Sequence, residues 1–372
     1  MRILHITSHL NVGGVTSSVL SLSRALAERG HRVIIASGGG QLEAEAAARG
    51  LTSWRLPLRT SVEFSLRVFS AGRQLAGRLR QEPVDVIHAH TRVGQVVADR
   101  LSRRLRIPYV TTWHGFYRRN LGRMLRPCTG ALTIAISEPV RQHLLQDFGV
   151  PSPRVRLIPH GIDPAPFTAS VEPAQQLRLR QALQLAIDAP VIGTVARLVA
   201  SKGIDQLIAS LPAIRASAPG AQLLIVGDGE DRPRLQALAR ARGVAEAVHF
   251  AGTLPETRVA LSLMRVFVFL PAEQEGFGLS LLEAMASGRP IVAVRRGRGA
   301  AWVLEDSGVG VLVEPDDARG LAAAVARFLQ DGEAACRAAG EARAAVTQRY
   351  SLARMVDQVE EVYRTVSQRG SE

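Results

Sequence analysis

The feature that most constrains the fold is an alternation of short β-branched runs with helix-length amphipathic stretches. The runs are "RILHIT", "HRVIIAS", "VDVIHAH", "PYVTTW", "ALTIAIS" and "RVRLIP" in the first half, and "PVIGTVA", "AQLLIVG", "AVHFAG", "VFVFLP", "PIVAV" and "GVLVEP" in the second. Strands that alternate with helical patterns predict βαβ units and parallel sheets. We therefore predict an α/β fold of two doubly wound, Rossmann-like domains. The active site is expected in a cleft between them.

The domain boundaries follow from length and from one linker. A chain of 372 residues is too long for one comfortable core. The Pro-rich stretch "PHGIDPAPFTASVEP", from Pro159 to Pro173, is the best linker. We place one domain at 1–165, a second at 174–350 and a terminal helix at 351–368. That helix is predicted by the spacing of Leu352, Met355, Val356, Val359 and Val362.

Several protein classes are disfavoured by simple sequence properties. No apolar run reaches the roughly 18 residues that a membrane span needs, and the N-terminus reads as a strand rather than a signal peptide. We therefore expect a cytoplasmic protein. Cys128 and Cys336 lie far apart and lack metal-ligand spacing, so neither a disulfide framework nor a zinc site is indicated.

The positive charge is concentrated in the first half. Residues 1–165 contain 23 Arg against 10 Asp and Glu, whereas residues 166–372 contain 23 Arg and Lys against 23 Asp and Glu. A basic half indicates an acidic partner, which could be nucleic acid, anionic lipid or an acidic substrate. The alternative is a soluble surface drawn from an arginine-rich codon pool.

One segment of the basic half is a candidate membrane-surface helix. It runs from Arg59 to Arg80, with apolar residues at helical spacing and arginines around them. Further arginines follow His114 and would add to an anionic-lipid surface. The alternative is a core-facing helix with a solvated arginine edge. The residues concerned are Phe64, Val68, Leu75 and Leu79, with Arg67, Arg73, Arg78 and Arg80, and then Arg118, Arg119, Arg123 and Arg126.

Lys202 is the only lysine in the chain, in the stretch "ARLVASKGID". The other 45 cationic side chains are arginine. An ammonium acts as a compact point charge for phosphate, whereas a guanidinium grips it with a planar fork. Lys202 and Arg197, which follow the strand "PVIGTVA", would supply one of each. The alternative is that a single lysine remains by chance in a chain whose composition favours arginine.

The stretch "EQEGFGLSLLEAMASG" contains the largest group of candidate ligand-binding residues. A glycine turn at Gly276–Gly278 leads into a predicted helix from Leu279 to Ala286, and a helix N-terminus presents free N–H groups to an anion such as phosphate. Glu275 and Glu283 are eight positions apart, which is about 12 Å along a helix. Because that is too far for a carboxylate pair on one glycosidic bond, separate roles in binding hydroxyls are favoured. Glu283 could alternatively be a solvated helix residue.

Three further strand ends carry candidate residues. Gly13 and Gly14 precede a predicted helix whose N-terminus could bind phosphate. Their spacing does not match the G-x-G-x-x-G motif of dinucleotide-binding proteins, which disfavours a nicotinamide-dependent enzyme. His114 lies just past a strand, where such folds place their chemistry. Gly227 and Gly229 lie at a strand end of the second domain. A structural histidine and an ordinary capped turn are the alternatives.

Taken together, these motifs resemble the retaining glycosyltransferases of family four, which have the GT-B fold. The resemblance rests on "NVGGV", "DVIHAH", "HGF", "ISEPVRQHL", "IPHGID", "GTVARLVASKGID", "LLIVGDGED", "HFAGTLPE", "VFVFLPAEQEGFGLSLLEAMASGRPIVA" and "GVGVLVEP". It runs in the family's order from Met1 to about Thr365. The Glu-x7-Glu block with its upstream Arg and Lys is the most specific part.

The resemblance implies a role for each candidate residue. Arg197 and Lys202 would neutralise the diphosphate of a nucleotide sugar, most commonly UDP- or GDP-linked. Glu283 would hold the ribose, and Glu275 would approach hydroxyls of the donor sugar. N–H groups around Phe277, Gly278 and Leu279 would meet phosphate, with Gly227 and Gly229 near the base. From the first domain, which would bind the acceptor, Gly13, Gly14 and His114 would approach the donor, and the terminal helix would return to that domain.

The implied reaction is transfer of a sugar to a glycan or lipid-linked acceptor, with retention of configuration. No metal or other cofactor is expected, because cations replace the divalent ion. Peripheral association with the inner membrane face is a further expectation, and no nucleic acid is expected. Two alternatives are a nucleotide-sugar 2-epimerase on the same fold and a non-catalytic binding protein.

Two stretches depart from the family pattern. Arg295, Arg296, Arg298 and Trp302 stand in "VRRGRGAAWVLEDSGVG", where many relatives have small and acidic residues, so donor recognition there is in doubt. His160 stands where Asn is more usual.

Overall fold

The computed structural model describes residues 1–60, 62–63 and 65–369. Within these residues the chain forms two compact units. The first unit contains Met1–Gly161 and the C-terminal helix that begins at Leu352, and the second unit contains Ile162–Ser351. The boundary after Gly161 lies inside the Pro-rich stretch.

The first unit is built on a parallel sheet. Its strands are β1 (Arg2–Ile6), β2 (Arg32–Ser37), β3 (Thr52–Arg55), β4 (Val86–Ala89), β5 (Tyr109–Trp113), β6 (Leu132–Ala135) and β7 (Val155–Leu157). They are ordered β3-β2-β1-β4-β5-β6-β7. Because β1 pairs with both β2 and β4, the winding direction changes beside β1. Ligands of doubly wound sheets bind at the carboxyl ends of the strands near this change.

Helices of the first unit cover the sheet. They are α1 (Gly14–Glu28), α2 (Glu43–Ala48), α3 (Leu66–Gln81), α4 (Arg92–Leu105), α5 (Leu121–Leu125) and α6 (Glu138–Phe148). Both faces of the sheet are therefore largely buried, which is why its strands are rich in Val and Ile.

The second unit has the same architecture. Its strands are β8 (Val191–Val195), β9 (Gln222–Val226), β10 (Val248–Gly252), β11 (Met264–Phe269), β12 (Ile291–Val294) and β13 (Val311–Val313), ordered β10-β9-β8-β11-β12-β13 and parallel throughout. Its helices are α7 (Ala165–Thr168), α8 (Pro173–Ala182), α9 (Ile204–Ser217), α10 (Arg232–Ala241), α11 (Arg258–Leu263), α12 (Leu279–Ala286), α13 (Arg298–Ser307), α14 (Ala318–Gln330) and α15 (Gly332–Arg349). The winding direction changes between β8 and β11.

The C-terminal helix α16 (Leu352–Arg369) belongs to the first unit. Its buried residues Met355, Val356, Val359 and Val362 pack in one cluster with residues of β1, β4 and β6. Polar contacts fix its position: Tyr363 is hydrogen-bonded to His88 Nδ1 at 2.6 Å, and Arg29 pairs with Asp357 at 2.6 Å. The helix is thus an integral part of the first core.

Helix α3 contradicts the membrane-surface interpretation of its apolar face. Val68, Leu75 and Leu79 are buried in the first core. Phe64 lies outside the described residues. The four arginines Arg67, Arg73, Arg78 and Arg80 are exposed. The core-facing alternative is therefore correct for this helix, because its apolar stripe covers the sheet instead of facing outward.

Two further sequence expectations concern the membrane and the cysteines. Among the described residues, none of the helices combines the length and the apolar character needed to cross a bilayer. Cys128 is buried and Cys336 is exposed, and both are free thiols.

Candidate functional site

The glycine turn before α12 forms an open helix N-terminus. Gly278 is the N-cap in the left-handed region, with φ of 103°, and a Cβ there would lie 2.5 Å from the Phe269 ring. Only glycine fits this conformation and this contact. In the described part of the chain no side chain caps α12 and its first turn holds no acidic residue. Its first N–H groups therefore remain available to an anion.

Lys202 and Glu275 lie in contact beside this turn. Lys202 ends a 3-10 turn after β8, and its Nζ forms an ion pair with Glu275 Oε2. The two side chains are only 15% and 20% exposed. The Ala272 N–H also donates to Glu275 at 3.3 Å. The structure thus brings the sole lysine into contact with the Glu-x7-Glu block, a pairing that the sequence alone does not predict.

Arg197 lies on the same loop after β8 but is exposed. It takes part in none of the ion pairs that the structure gives for its described residues. Its loop is held by Gly227 and Gly229: a Cβ on Gly227 would lie 1.9 Å from the Ala196 carbonyl oxygen, and one on Gly229 would lie 2.2 Å from that of Leu198. The two glycines therefore allow the loops after β8 and β9 to touch, which positions Arg197.

Glu283 occupies a different environment from Glu275. It lies in the second turn of α12 and accepts a hydrogen bond from Thr257 Oγ1 at 2.8 Å. Burial raises the pKa of this carboxyl above its ordinary value. The solvated alternative for Glu283 is therefore wrong. Because the partners of the two carboxylates differ, the geometry is consistent with separate roles.

Phe277 has a packing role through its side chain. It is 2% exposed, and its ring contacts Tyr350 edge-on at 5.7 Å and Trp302 at 6.4 Å between centroids. Only its backbone could therefore approach a ligand. The sequence motif alone does not distinguish these two uses.

The arginine-rich loop before α13 adjoins both halves of this site. A Cβ on Gly299 would lie 2.1 Å from the Gly276 carbonyl oxygen, so α13 begins against the glycine turn. The Arg296 guanidinium lies over Gly203 and is 3.4 Å from Asp316. Arg295 pairs with Glu305 and Glu314. The departure from the family pattern thus places another cation beside the lysine loop.

In the first unit, Gly13 is the N-cap of α1, which begins at Gly14. The described structure gives this helix no side-chain cap and no acidic residue in its first turn. A Cβ built on Gly13 would meet no described atom within 4 Å, so the turn faces open space. Like α12, α1 therefore presents free N–H groups at the carboxyl edge of its sheet.

His114 is the half-buried member of a chain of otherwise buried histidines. Its Nε2 is 3.2 Å from His90 Nδ1, and its Nδ1 is 3.2 Å from His160 Nε2. The chain continues from His90 Nε2 to His5 Nδ1 at 2.7 Å and from His160 Nδ1 to Ser18 Oγ at 3.0 Å. Both ring nitrogens of His114 are thus engaged. Burial, and next the neighbouring His160, hold the pKa of His114 well below its ordinary value, so its ring is neutral at pH 7.

Sequence reasoning missed the other members of this chain. His5 lies within β1, His90 directly follows β4 and His160 lies after β7, and no spacing rule links them. Burial lowers the pKa of His5 to about 3 and that of His160 to about 4. His160, the unusual residue in "PHGID", connects His114 to Ser18 in this chain.

The cluster of His5, His88 and His90 also has the composition of a metal site. Their potential ligand atoms lie within 4.8 Å of one another. However, His88 is hydrogen-bonded to Tyr363 at 2.6 Å and to Thr112 at 2.7 Å. Only His5 Nε2 lacks a hydrogen-bond partner among the described ring nitrogens of these three residues. Hydrogen bonding therefore accounts for the cluster, and we assign no metal to it.

Comparisons with known proteins agree with this architecture. Residues 12–166 match the family model described as Glycosyltransferase Family 4, and residues 175–345 match the one described as Glycosyl transferases group 1. An uncharacterized glycosyltransferase, MJ1607 of Methanocaldococcus jannaschii, is 26% identical over 95% of this chain and 94% of its own length. The lipopolysaccharide core biosynthesis glycosyltransferase LpsE of Rhizobium meliloti is 34% identical over 48% of this chain and 51% of its own length.

A solved structure has the same fold. Anabaena HepE, in complex with UDP-glucose, superposes with a TM-score of 0.83 at 21% identity and covers 98% of this chain and 100% of its own. Two Rossmann-like units of this kind constitute the GT-B fold.

Proposed function

Since the chain belongs to the family 4, group 1 glycosyltransferases, we propose that it transfers a sugar from a UDP- or GDP-sugar to a glycan or lipid-linked acceptor. The observation that carries the proposal is the contact of Lys202 with Glu275 beside the uncapped N-terminus of α12. The process would be the biosynthesis of cell-surface polysaccharide or lipopolysaccharide. The likeness to LpsE supports that assignment.

The donor diphosphate would bind to the second unit. Lys202, Arg197 and the first N–H groups of α12 supply positive charge and hydrogen-bond donors. In a site shielded from water, such groups stabilise the negative charge that develops on the leaving diphosphate. HepE binds UDP-glucose, which supports a donor of this class.

The two glutamates would divide the hydroxyl groups of the donor. Glu283 lies in the second turn of α12 and would bind the ribose, whereas Glu275 would accept hydrogen bonds from the donor sugar. Because the Glu275 carboxylate contacts Lys202 in the free protein, the donor phosphate would compete with it for that ammonium.

The proposed transfer retains configuration and uses no divalent ion. Cationic side chains and helix N–H groups replace the metal in charge compensation. We infer departure of the diphosphate and attack by the acceptor on the same face of the sugar, since neither glutamate is assigned the part of nucleophile. His114 would offer its backbone to the donor sugar, because both of its ring nitrogens are engaged.

The acceptor would bind to the first unit, which carries the excess positive charge. A membrane surface remains part of the proposal, but through other residues than the apolar face of α3. Leu66, Leu121 and Leu125 are 87%, 76% and 75% exposed. Arg118, Arg119 and Arg126 are exposed near α5. Apolar side chains flanked by arginines suit the interface of an anionic bilayer on the cytoplasmic side.

The proposed function is tested first with a panel of UDP-, GDP- and ADP-sugars. We expect one class to raise the melting temperature, and NMR of the product formed with that donor to show a retained anomeric configuration. Stabilisation by no nucleotide sugar, or an inverted product, would contradict the proposal. The 2-epimerase alternative is not carried forward, because both matched families are described as glycosyl transferases.

The membrane part has its own test. We expect the protein to sediment with vesicles of phosphatidylglycerol but not of phosphatidylcholine, and to be released by high salt. Leu121→Ser with Leu125→Ser should weaken this binding, whereas Ile187→Ser, another exposed apolar residue at 70%, should not. Binding that ignores lipid charge would count against a membrane acceptor.

A further inference from the structure

A pocket in the first unit is lined by three arginines that the proposed donor site does not use. It has a volume of about 360 Å³ and is formed by Gly38, Arg55, Leu56, Pro57, Arg59 and Arg67. These residues follow β2, end or follow β3, or lie in the first turn of α3. The pocket thus lies at the carboxyl edge of the sheet, where doubly wound units bind ligands.

The glycine run "GGG" at positions 38–40 is what admits the arginine side chains. A Cβ on Gly38 would lie 2.4 Å from Arg59 Cγ and 2.7 Å from the Ser8 carbonyl oxygen. A Cβ on Gly39, whose φ is 74°, would lie 3.0 Å from Arg55 Nε. Any other residue in these positions would displace the two side chains. The pocket is therefore a built feature of the fold.

The charge in this pocket is poorly neutralised. Arg55 approaches Glu43 only to 3.9 Å, with 72% of its side chain exposed. Arg59 and Arg67 have no carboxylate partner among the described residues. By contrast, nine other arginines of this unit pair with a carboxylate among the described residues, namely Arg2, Arg24, Arg29, Arg32, Arg49, Arg92, Arg103, Arg141 and Arg364. Converging guanidinium groups without counter-charges indicate an anionic ligand.

The pocket is joined to the Gly13 turn by hydrogen bonds. The Gly38 N–H donates to the Ser8 carbonyl at 3.2 Å, and the Leu10 N–H donates to the Gly39 carbonyl at 3.0 Å. The segment that leads from β1 to Gly13 therefore lies against the glycine run that borders the arginine pocket. A molecule held by the arginines would extend along the same edge toward α1.

We propose that this pocket is an acceptor subsite for a phosphate group, held by Arg55, Arg59 and Arg67. Guanidinium forks match phosphate oxygens in pairs, and a phosphate monoester carries nearly two charges, which three arginines balance better than they balance one carboxylate. The volume also has room for part of the sugar or headgroup to which the phosphate is attached. This subsite rests on the proposed function, since it names the chemical class of the acceptor.

The test is a calorimetric titration of inorganic phosphate into the full chain saturated with UDP, which occupies the proposed donor site. We expect saturable binding that weakens about tenfold in Arg59→Gln and in Arg67→Gln, because each loses a charged hydrogen-bond donor. Arg73→Gln is the matched control, since Arg73 is exposed on the same helix as Arg67 but does not line the pocket. Wild-type affinity in both pocket variants, or equal loss in the control, would overturn the proposal.

The source of the phosphate is resolved by two further arms. If glucose 6-phosphate binds, glucose does not, and Arg59→Gln weakens the binding of glucose 6-phosphate, the ligand is a soluble sugar phosphate. Vesicles of phosphatidic acid that bind through Arg59 would identify a lipid headgroup. UDP affinity is measured separately on each variant and should equal that of the wild type. Failure of the wild type to bind either UDP or GDP would contradict the proposed function, whereas the comparison of the pocket variants with Arg73→Gln would still test the phosphate subsite.

Discussion

Replacing Lys202 by Met would test whether the sole lysine binds the donor diphosphate. Met keeps most of the apolar stem and removes the charge. A hydrogen bond to a charged group contributes about 1.5 to 3 kcal/mol, so the affinity for UDP or GDP should fall about 10- to 150-fold. The upper half of that range is favoured because the Lys202 side chain is only 15% exposed, which limits screening by water.

The ion pair with Glu275 allows a second, opposite measurement. In the free protein the ammonium is bound to Glu275, and the phosphate must compete with that carboxylate. Glu275→Gln removes the competitor and should leave UDP affinity unchanged or higher, while transfer slows. Calorimetry with UDP on both variants measures this contrast.

The effects of the same two substitutions on thermal stability should not be additive. Lys202→Met leaves the Glu275 carboxylate with the Ala272 N–H as its one partner among the described residues. The melting temperature should therefore fall, and adding Glu275→Gln should restore part of it. Arg242→Met, at the far end of α10, is the control for loss of an exposed cation. If both site variants weaken UDP binding equally, Glu275 would be needed to hold Lys202 in place, and the competition argument would be wrong.

Three further predictions concern buried polar groups. Glu283→Gln should weaken nucleotide binding and yet raise the stability of the fold at pH 7. Because burial raises the folded-state pKa of Glu283, the wild type loses stability as the pH rises above the ordinary pKa of a carboxyl group, and thermal melts from pH 4 to 8 measure this loss. The buried histidines should make the protein sensitive to acid, because burial lowers the folded-state pKa to about 3 for His5 and to about 4 for His160. Stability should therefore be lost as the pH falls from about 6.5 toward 4. A melting temperature that does not change over that range would contradict their burial as neutral rings. Tyr363→Phe should cost about 1 to 3 kcal/mol in urea unfolding, because His88 Nδ1 loses its partner at 2.6 Å inside the core, whereas an unchanged midpoint would show that the bond contributes nothing.

The strands could largely be predicted from the sequence, because burial on both faces of a parallel sheet requires continuous apolar runs. The exception is β3, "TSWR", which was not predicted. It is an edge strand with no fully buried residue, so it lacks the pattern that identifies the others. Helix α12 was predicted with its observed bounds, since glycines flank a run of good helix formers.

The candidate site was predictable in its residue types but not in its pairings. The turn chemistry at Gly278 and the phosphate preference of Lys202 are local properties. The contact of Lys202 with Glu275 and the histidine chain through His114 join segments that are distant in sequence. Such contacts depend on how the strands are ordered in the sheet, which a single sequence does not specify. The same limit explains α3, whose apolar stripe fits a membrane surface and a protein core equally well.

The position of α16 has a consequence for synthesis of the protein on the ribosome. Tyr363 contacts His88 across 275 residues of chain, and the whole second unit is translated between them. At typical elongation rates of about 5 to 20 residues per second, translation of that stretch takes about 14 to 55 s. Throughout it, the apolar face formed by Ile3, Val86 and Ile134 cannot yet be covered by α16, with which it packs in the completed fold. The first unit therefore starts to emerge first but completes its core last, so a nascent chain must keep that face from aggregating until its final helix arrives.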